Sequence, residues 1–359
     1  MSADGNQRIR KRAVDICVFL VIMLLTFYAV IHGQDWNQIW AALRKMSIPY
    51  LMLAVLTALF FVSVEGMMIW YLLRSMPDRR GSIRREGVLR CISYSFIGFF
   101  YSGITPSATG GQPMQLYYMK KDGNSLSDSS VVLMTVALIY KFVLVVMGIG
   151  ILMFWYAPLK GYLQGYVGLY FLGLALNLIL VAVLLAVMLA PGGMKGIIYR
   201  LERILVRIRV LKESDDRKKK IDQFIDGYRE AVRFLISRRR KIGIVVIFTF
   251  VQRISVFLLT ALVYLGFAQT GTGILTVMIL QASVYIAVDM LPLPGAQGIT
   301  EMMYYAIFQG VFAKAYLMPA LYVTRGIQFY FLLVVGLVVV LVNLMGDGDG
   351  GFFNFPRPL

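Results

Sequence analysis

The chain has 359 residues, of which 59% are hydrophobic, with a mean hydropathy of +0.72 and a formal net charge of +17. Several apolar runs are long enough to cross a hydrocarbon core of about 30 Å, which excludes a soluble globular domain and predicts a polytopic membrane protein. Because most Lys and Arg residues fall in loops at the ends of these runs, as in cytoplasmic loops, we expect no nucleic-acid partner.

The residues of cofactor and metal chemistry are scarce. Cys17 and Cys91 both lie in apolar segments without the spacing of a disulfide framework or a metal site. His32 is the sole histidine, which argues against zinc chemistry and against a histidine-based catalytic triad. We therefore expect no metal and no cofactor.

The first half begins with an apolar run at 14–32, which follows a basic stretch and has no small-residue cleavage site after it. It is predicted to be a retained helix with the N-terminus in the cytoplasm. An interfacial piece around Trp36 and Trp40 leads to a second crossing at Ile48–Leu73, which returns to a basic loop.

The next run, Val88–Ile104, is short and stops at the break Thr105-Pro106-Ser107-Ala108-Thr109-Gly110-Gly111-Gln112-Pro113. Residues 114–119 then lead directly to Lys120-Lys121. Positive charge on both flanks predicts a re-entrant hairpin, over about 88–119, that enters and leaves on the cytoplasmic side. A crossing at 126–156 follows.

The second half has the same order. Residues 166–190 cross back, a basic stretch covers 195–241, and residues 242–268 cross outward. A second hairpin, over about 274–309, breaks at Leu291-Pro292-Leu293-Pro294-Gly295-Ala296-Gln297-Gly298 and enters from outside. Residues 316–344 make the last inward crossing. A glycine-rich tail at 346–359 is expected to be disordered.

This order predicts an all-α polytopic membrane protein with about six transmembrane helices and two re-entrant helical hairpins in an inverted repeat. Ionisable residues take matching places in the two halves: Glu65 and Arg253 precede the hairpins, and Lys141 and Arg325 follow them. The predicted units are a first repeat at 1–190, a cytoplasmic amphipathic linker at 191–241, the remainder of the second repeat at 242–345 and the tail at 346–359.

The two breaks are candidate binding sites because non-helical backbone at membrane depth is tolerated only inside protein or beside a watery cavity. A half-helix that starts there presents free N–H groups and a positive dipole end, which favour an anion. Pro113 suits such a helix start. The alternative is an ordinary loop between two short helices. The candidate ligands are Thr105, Ser107, Thr109, Gly110, Gly111 and Gln112 in the first break and Pro294, Gly295 and Gly298 in the second.

Six ionisable residues inside apolar segments would each cost roughly 2.5–3.5 kcal/mol if they faced lipid, so they must face inward. One interpretation is that Lys141, Arg253 and Arg325 hold an acidic headgroup while Glu65, Asp289 and Glu301 exchange with it or take a proton. The other is a set of structural ion pairs. Glu301 also stands where a carboxylate caps its own helix.

The 195–241 stretch alternates apolar and basic residues at helical spacing, which indicates amphipathic helices. Attraction to anionic lipid would hold them on the cytoplasmic leaflet. A solvated linker is the alternative for 212–220, where the apolar rhythm lapses.

These motifs resemble the lysylphosphatidylglycerol synthase transmembrane family, which includes the flippase-like half of the multiple peptide resistance factor. The residues that carry the resemblance are Gly110-Gly111-Gln112-Pro113 with Tyr117-Tyr118, the 292–298 break followed by Glu301, and Arg325. Ala296 departs from the family pattern, which usually has glycine there. The resemblance implies a domain that moves an anionic, aminoacylated or isoprenoid-linked lipid between leaflets.

The leading hypothesis is therefore a lipid translocase or lipid-binding transporter in a bacterial inner membrane, with both termini cytoplasmic and membrane phospholipid as its partner. Two alternatives are a membrane component of phosphatidylglycerol lysyltransferase and an ion-coupled transporter of a small anion. No residues that would carry aminoacyl transfer are evident, so we expect no enzyme activity from this chain alone. A separate lipid-synthesising enzyme is a further candidate partner.

Overall fold

The computed structural model describes residues 36–76, 87–105, 108–190, 215–291 and 298–345, together with residues 196, 199, 200, 202 and 203. This part of the chain is helical and contains no strand. The predicted crossing at 14–32, the tail at 346–359 and most of the linker at 191–214 lie outside it.

The helices follow the predicted order closely. They are α1 (Trp36–Leu43), α2 (Ile48–Leu73), α3 (Val88–Ile104), α4 (Gly111–Lys121), α5 (Leu126–Leu163), α6 (Val167–Leu189), α7 (Asp215–Ser237), α8 (Arg239–Gly266), α9 (Ile274–Val288), α10 (Ile299–Phe308), α11 (Lys314–Arg325) and α12 (Leu332–Met345). A π-helical segment, Gly326–Phe331, joins α11 to α12.

Five helical stretches are long and apolar enough to span a bilayer: α2, α5, α6, α8 and the continuous run Lys314–Leu344. These correspond to five of the six predicted crossings, and the sixth lies in the undescribed N-terminal residues. The prediction of an all-α polytopic membrane protein is confirmed.

The centre of the bundle is the antiparallel pair α2 and α8. At one end, the backbone N–H of Ser47 donates to the carbonyl of Gly266 over 2.9 Å. At the other, the Lys241 ammonium donates to the Ser75 hydroxyl over 2.6 Å. The two ends of this pair define the two faces of the bundle, which we call the Gly266 face and the Lys241 face.

The first hairpin, made of α3 and α4, begins and ends at the Lys241 face. Arg90, near the start of α3, forms a bidentate pair with Asp122, just after α4, at 2.6 and 2.8 Å. Arg90 also donates to Asn343 near the end of α12. With 17 residues, α3 is about 25 Å long, so the hairpin reaches into the bundle without crossing it.

The second hairpin, made of α9 and α10, begins and ends at the opposite face. Before α9, the N–H of Thr272 donates to the Tyr264 hydroxyl over 3.0 Å. After α10, the N–H of Ala313 donates to Gln269 over 3.0 Å, and the Phe312 ring lies 5.3 Å from the Tyr264 ring. The two hairpins therefore enter from opposite faces.

Helix contacts in the two halves correspond in pairs, as an inverted repeat requires. The contact of α2 with α3 has its counterpart in that of α8 with α9, and α4 with α5 corresponds to α10 with α11. Each hairpin also packs on the long helix of the other half: α3 contacts α12, and α9 contacts α5. The predicted repeat is thus visible in the packing.

Two irregularities were not predicted. Helix α5 continues beyond the expected end at 156, but its backbone is non-helical at Trp155 (φ −140°), three residues before Pro158. The second irregularity is the π-helical segment directly after Arg325. Such segments break the regular hydrogen-bond ladder and are frequent at functional sites.

Helix α7 of the linker packs its apolar side on α5. The Ser127 hydroxyl at the start of α5 donates to the carbonyl of Phe224 over 3.1 Å. Burial raises the pKa of Tyr228 to about 12, so its hydroxyl stays protonated and faces the sulfur of Met134 at 2.9 Å. The apolar side of this helix is thus covered by protein.

The packing of the first hairpin generates a prediction about Gly66. A Cβ at Gly66 would lie 2.7 Å from the backbone nitrogen of Ile92 and 2.8 Å from the carbonyl of Cys91, whereas Gly150 in α5 has open space. Gly66→Ala should lower stability by about 1–3 kcal/mol through overpacking. Gly150→Ala, the matched control, should be neutral or stabilising. Thermal unfolding in detergent measures both, and equal midpoints would contradict the close approach of α2 and α3.

Candidate functional site

The polar residues of the candidate site lie at mid-depth, where the hairpins end. Lys141 is 15 residues into α5, roughly 22 Å from the Lys241 face. It meets Asp289, which directly follows the last residue of α9 at the tip of the second hairpin. Near the tip of the first hairpin, Gly103 in the last turn of α3 lies against Phe329 of the π-helical segment and Leu333 of α12.

Lys141 and Asp289 form a buried ion pair, with side chains only 12% and 13% exposed. The neighbouring Tyr140 hydroxyl donates to the second carboxylate oxygen of Asp289. The sulfur of Met290 lies 3.2 Å from the Lys141 ammonium. The carboxylate is thus bonded at both oxygens, and the pair ties the second hairpin to α5.

Arg325 and Glu301 form the second ion pair, at 2.7 Å. The other carboxylate oxygen of Glu301 accepts the N–H of Gly298 at 2.6 Å. Gly298 has φ +79°, a conformation that favours glycine at this helix start. Glu301 therefore both caps its own helix and forms an ion pair with Arg325.

Glu65 has a neutral partner. The amide nitrogen of Gln115, on the second arm of the first hairpin, donates to its carboxylate over 2.8 Å. Gly98 on α3 makes room for this contact, because a Cβ there would lie 2.8 Å from Cγ of Gln115. Sequence reasoning missed Gln115, although a polar residue inside a predicted half-helix was a signal for it.

Arg253 on α8 is held by aromatic rings. Its guanidinium carbon lies 4.6 Å from the ring centre of Phe61 and 4.3 Å from that of Tyr140, and the residue is only 4% exposed. Its Nε is buried without a hydrogen-bond partner. Within the described ranges, Arg253 forms no ion pair with a carboxylate, in contrast to Lys141 and Arg325.

Aromatic residues link these groups. Tyr140 contacts Arg253 through its ring and donates its hydroxyl to Asp289, and Phe61, the other ring beside Arg253, lies one helical turn before Glu65 on α2. We call the set the central cluster: Glu65, Lys141, Arg253, Asp289, Glu301 and Arg325. Three cations face three carboxylates, so the cluster is neutral when all six are ionised.

Residues of the first break take distinct places at the hairpin tip. The Thr105 hydroxyl donates to the carbonyl of Tyr101 and accepts the N–H of Gly110 over 2.9 Å. Gly111 is packed against α3, where a Cβ would lie 2.6 Å from the carbonyl of Gly98. The remaining candidates, Thr109 and Gln112, are exposed at the tip.

Three predicted ligands, Ser107, Pro294 and Gly295, lie outside the described residues. In the described part of the chain, no group of three His, Cys, Asp or Glu side chains is placed as metal ligands would be. A groove of 640 Å³ lies between the end of α5 and the end of α10, away from the central cluster. Its lining residues, which include Tyr162 and Gln309, carry no charge.

Comparisons with known proteins agree with this architecture. Residues 13–336 match the family profile described as lysylphosphatidylglycerol synthase TM region. A UPF0104 membrane protein from Pyrococcus horikoshii is 26% identical over 309 residues, which cover 84% of this chain and 89% of the relative. The chain therefore belongs to the lysylphosphatidylglycerol synthase transmembrane-region family, and it is a multi-pass membrane protein.

The pairing of Lys141 with Asp289 generates a prediction about stability. Lys141→Met or Asp289→Asn alone leaves one buried charge without its partner, which should destabilise the protein by about 3–5 kcal/mol. The double variant removes both charges and should lose less than either single variant. Thermal unfolding in detergent measures the stability of the native chain, the two single variants and the double variant. Lys160→Met, an exposed charge on the same helix, serves as the control and should change stability by less than about 0.5 kcal/mol. Additive losses in the double variant would show that the two charges do not depend on each other.

Proposed function

We propose that this member of the lysylphosphatidylglycerol synthase transmembrane-region family is a lipid translocase. It holds an acidic or aminoacylated phospholipid headgroup, or that of an isoprenoid-linked lipid, at the central cluster while the acyl chains stay in the bilayer. One observation carries the proposal: two re-entrant hairpins enter from opposite faces and both reach a buried set of three cations and three carboxylates.

The charges of the cluster support an anionic ligand group. Arg253 is buried beside two rings and has no direct carboxylate partner in the described residues, so an arriving phosphate would complete its coordination. Guanidinium groups bind phosphate oxygens with paired, planar hydrogen bonds. The half-helices α4 and α10 add the positive ends of their dipoles at the hairpin tips.

The exterior supports a lipid rather than a soluble substrate. Large apolar side chains are exposed along the long helices, for example Met153, Phe154 and Ile247, as expected for a surface in contact with acyl chains. Thr109 and Gln112 are exposed at the tip of the first hairpin. A headgroup could therefore reach this tip from the side while its chains remain in the bilayer.

We place the Lys241 face in the cytoplasm of a bacterial inner membrane. Basic residues lie at helix ends on this face: Arg74, Lys120, Lys121 and the run Arg238-Arg239-Arg240-Lys241. An excess of Lys and Arg in the loops of one face marks the cytoplasmic side. The exposed basic residues of α7, including Arg229 and Arg233, would then meet the anionic surface of the inner leaflet.

The family's description favours a second candidate function. As the transmembrane region of a lysylphosphatidylglycerol synthase system, the chain would work beside a separate lipid-synthesising enzyme and receive its product. Formation of lysyl-lipid by the purified chain supplied with charged tRNA would support an enzyme and contradict our proposal. Mass spectrometry of the lipids reads this outcome directly.

Translocation generates the prediction for Arg325. In liposomes with labelled phosphatidylglycerol in one leaflet, the native chain should speed its appearance in the other leaflet. Arg325→Gln should slow this rate at least tenfold, because it removes a cation at the second hairpin while leaving Glu301 as cap. Lys314→Gln removes an exposed charge at the start of the same helix and should leave the rate unchanged.

Equal rates of lipid translocation for the native chain and Arg325→Gln would show that Arg325 has no role in binding the headgroup. If the native chain moves none of the labelled lipids, the translocase proposal fails. Uptake of water-soluble organic phosphate without lipid movement would instead identify an ion-coupled transporter of a small anion.

A further inference from the structure

Glu65 differs from the other two carboxylates of the central cluster in the nature of its partner. Asp289 and Glu301 each pair directly with a cation, Lys141 and Arg325. Glu65 accepts its hydrogen bond from the neutral amide of Gln115. Its nearest cation on α8, Arg253, lies over the Phe61 ring one helical turn before Glu65 and forms no direct ion pair with it in the described residues. Protonating Glu65 therefore breaks no ion pair in the described part of the chain.

The charge of the cluster restricts what can enter it. With all six groups ionised the three cations balance the three carboxylates. An acidic phosphodiester headgroup brings one further negative charge into a region where an unbalanced charge is costly. Binding of this ligand is therefore favoured only if a positive charge enters with it.

We propose that Glu65 takes up one proton from water when an acidic phosphodiester headgroup binds at Arg253, so that the cluster remains neutral in both states. This inference rests on the proposed function, because it concerns the same site. The proton comes to rest on a carboxylate oxygen of Glu65, and the phosphodiester keeps its negative charge and replaces Glu65 as the counter-ion of Arg253.

The surroundings of both groups suit this exchange. The Phe61 and Tyr140 rings lie 4.6 and 4.3 Å from the guanidinium carbon of Arg253, and the Nε–H on its edge lacks a hydrogen-bond partner that a ligand could supply. That edge matches two phosphate oxygens. The Gln115 amide has both a donor and an acceptor, so it can bond to Glu65 in either protonation state.

Comparison with the other titratable groups nearby identifies Glu65 as the group that takes up the proton. The elements packed on α2 and on Gln115 carry, among other titratable groups, Tyr101 on α3, Tyr118 on α4, Tyr140 and Lys141 on α5, Arg253 on α8 and Tyr330 in the π-helical segment. Of these, Arg253 lies over the Phe61 ring, one helical turn before Glu65 on α2. Lys141 is engaged by Asp289, and the tyrosines are neutral at physiological pH.

Calorimetry tests the proton count without any variant. The purified chain in neutral detergent is titrated with dihexanoyl-phosphatidylglycerol in two buffers of different ionisation enthalpy. We expect uptake of about one proton per bound lipid and an affinity that falls about tenfold per pH unit once Glu65 is ionised in the free protein. Dihexanoyl-phosphatidylcholine carries its own positive charge, so its binding should take up no proton.

Two variants assign the proton to a residue. Glu65→Gln keeps the shape and neutral form of the side chain, so it should bind dihexanoyl-phosphatidylglycerol without proton uptake and without the pH dependence. Glu230→Gln, the same substitution at an exposed carboxylate of α7 outside the central cluster, is the matched control and should retain both. Proton uptake that persists in Glu65→Gln, or lipid binding to the native chain without proton uptake, overturns the inference.

The same titration separates this failure from failure of the proposed function. If the native chain binds no dihexanoyl-phosphatidylglycerol at any pH, the lipid site itself is refuted and the proton proposal falls with it. If deacylated glycerophosphoglycerol binds equally tightly, the ligand is a soluble phosphodiester and the lipid assignment is wrong, while the proton count still tests Glu65.

Discussion

A hydrocarbon interior offers no partner for a bare charge or a bare backbone amide, and this constraint governs the arrangement of the whole chain. Charged side chains have to find one another, and interrupted helices have to be enclosed by continuous ones. Both requirements are met at one place. The tip of the second hairpin brings Asp289 to Lys141 and Glu301 to Arg325, so the backbone breaks and the buried charges stabilise each other.

The inverted repeat explains why the cluster contains residues from both halves. Each hairpin packs on the long helix of the other repeat, so that Lys141 of the first half pairs with Asp289 of the second. The halves differ in detail, however. The second hairpin is fixed by two ion pairs, whereas the first is joined to α2 by the hydrogen bond from Gln115 to Glu65. The first hairpin is therefore held more weakly at mid-depth, although at its base Arg90 binds Asp122 through two hydrogen bonds.

Sequence patterns predicted the helices and the interruptions because length, hydropathy and Pro/Gly breaks are local properties. Ile48–Leu73 and Val88–Ile104 match their predicted bounds, and the other described segments differ by a few residues at their ends or, in α5, beyond a local break. The six buried charges were found for the same reason: a charge in an apolar run is conspicuous. The pairing of these charges was not predicted, because the contact of Lys141 with Asp289, 148 residues away, depends on how two helices distant in sequence pack together. The π-helical segment and the contacts of Arg253 with two aromatic rings likewise have no signal in the local sequence.

The uneven pairing of the three cations has a consequence for how the two hairpins can act. A charge that already has a counter-ion must lose it before it can bind a ligand, and inside a membrane that loss is large. Lys141 and Arg325 are thus suited to hold the second hairpin in place. If Glu65 takes up a proton as we propose, Arg253 would exchange Glu65 for the ligand as its counter-ion while staying in contact with the Phe61 and Tyr140 rings. Because Glu65 accepts a hydrogen bond from Gln115 on α4, our proposal couples ligand binding to the first hairpin through this one carboxylate.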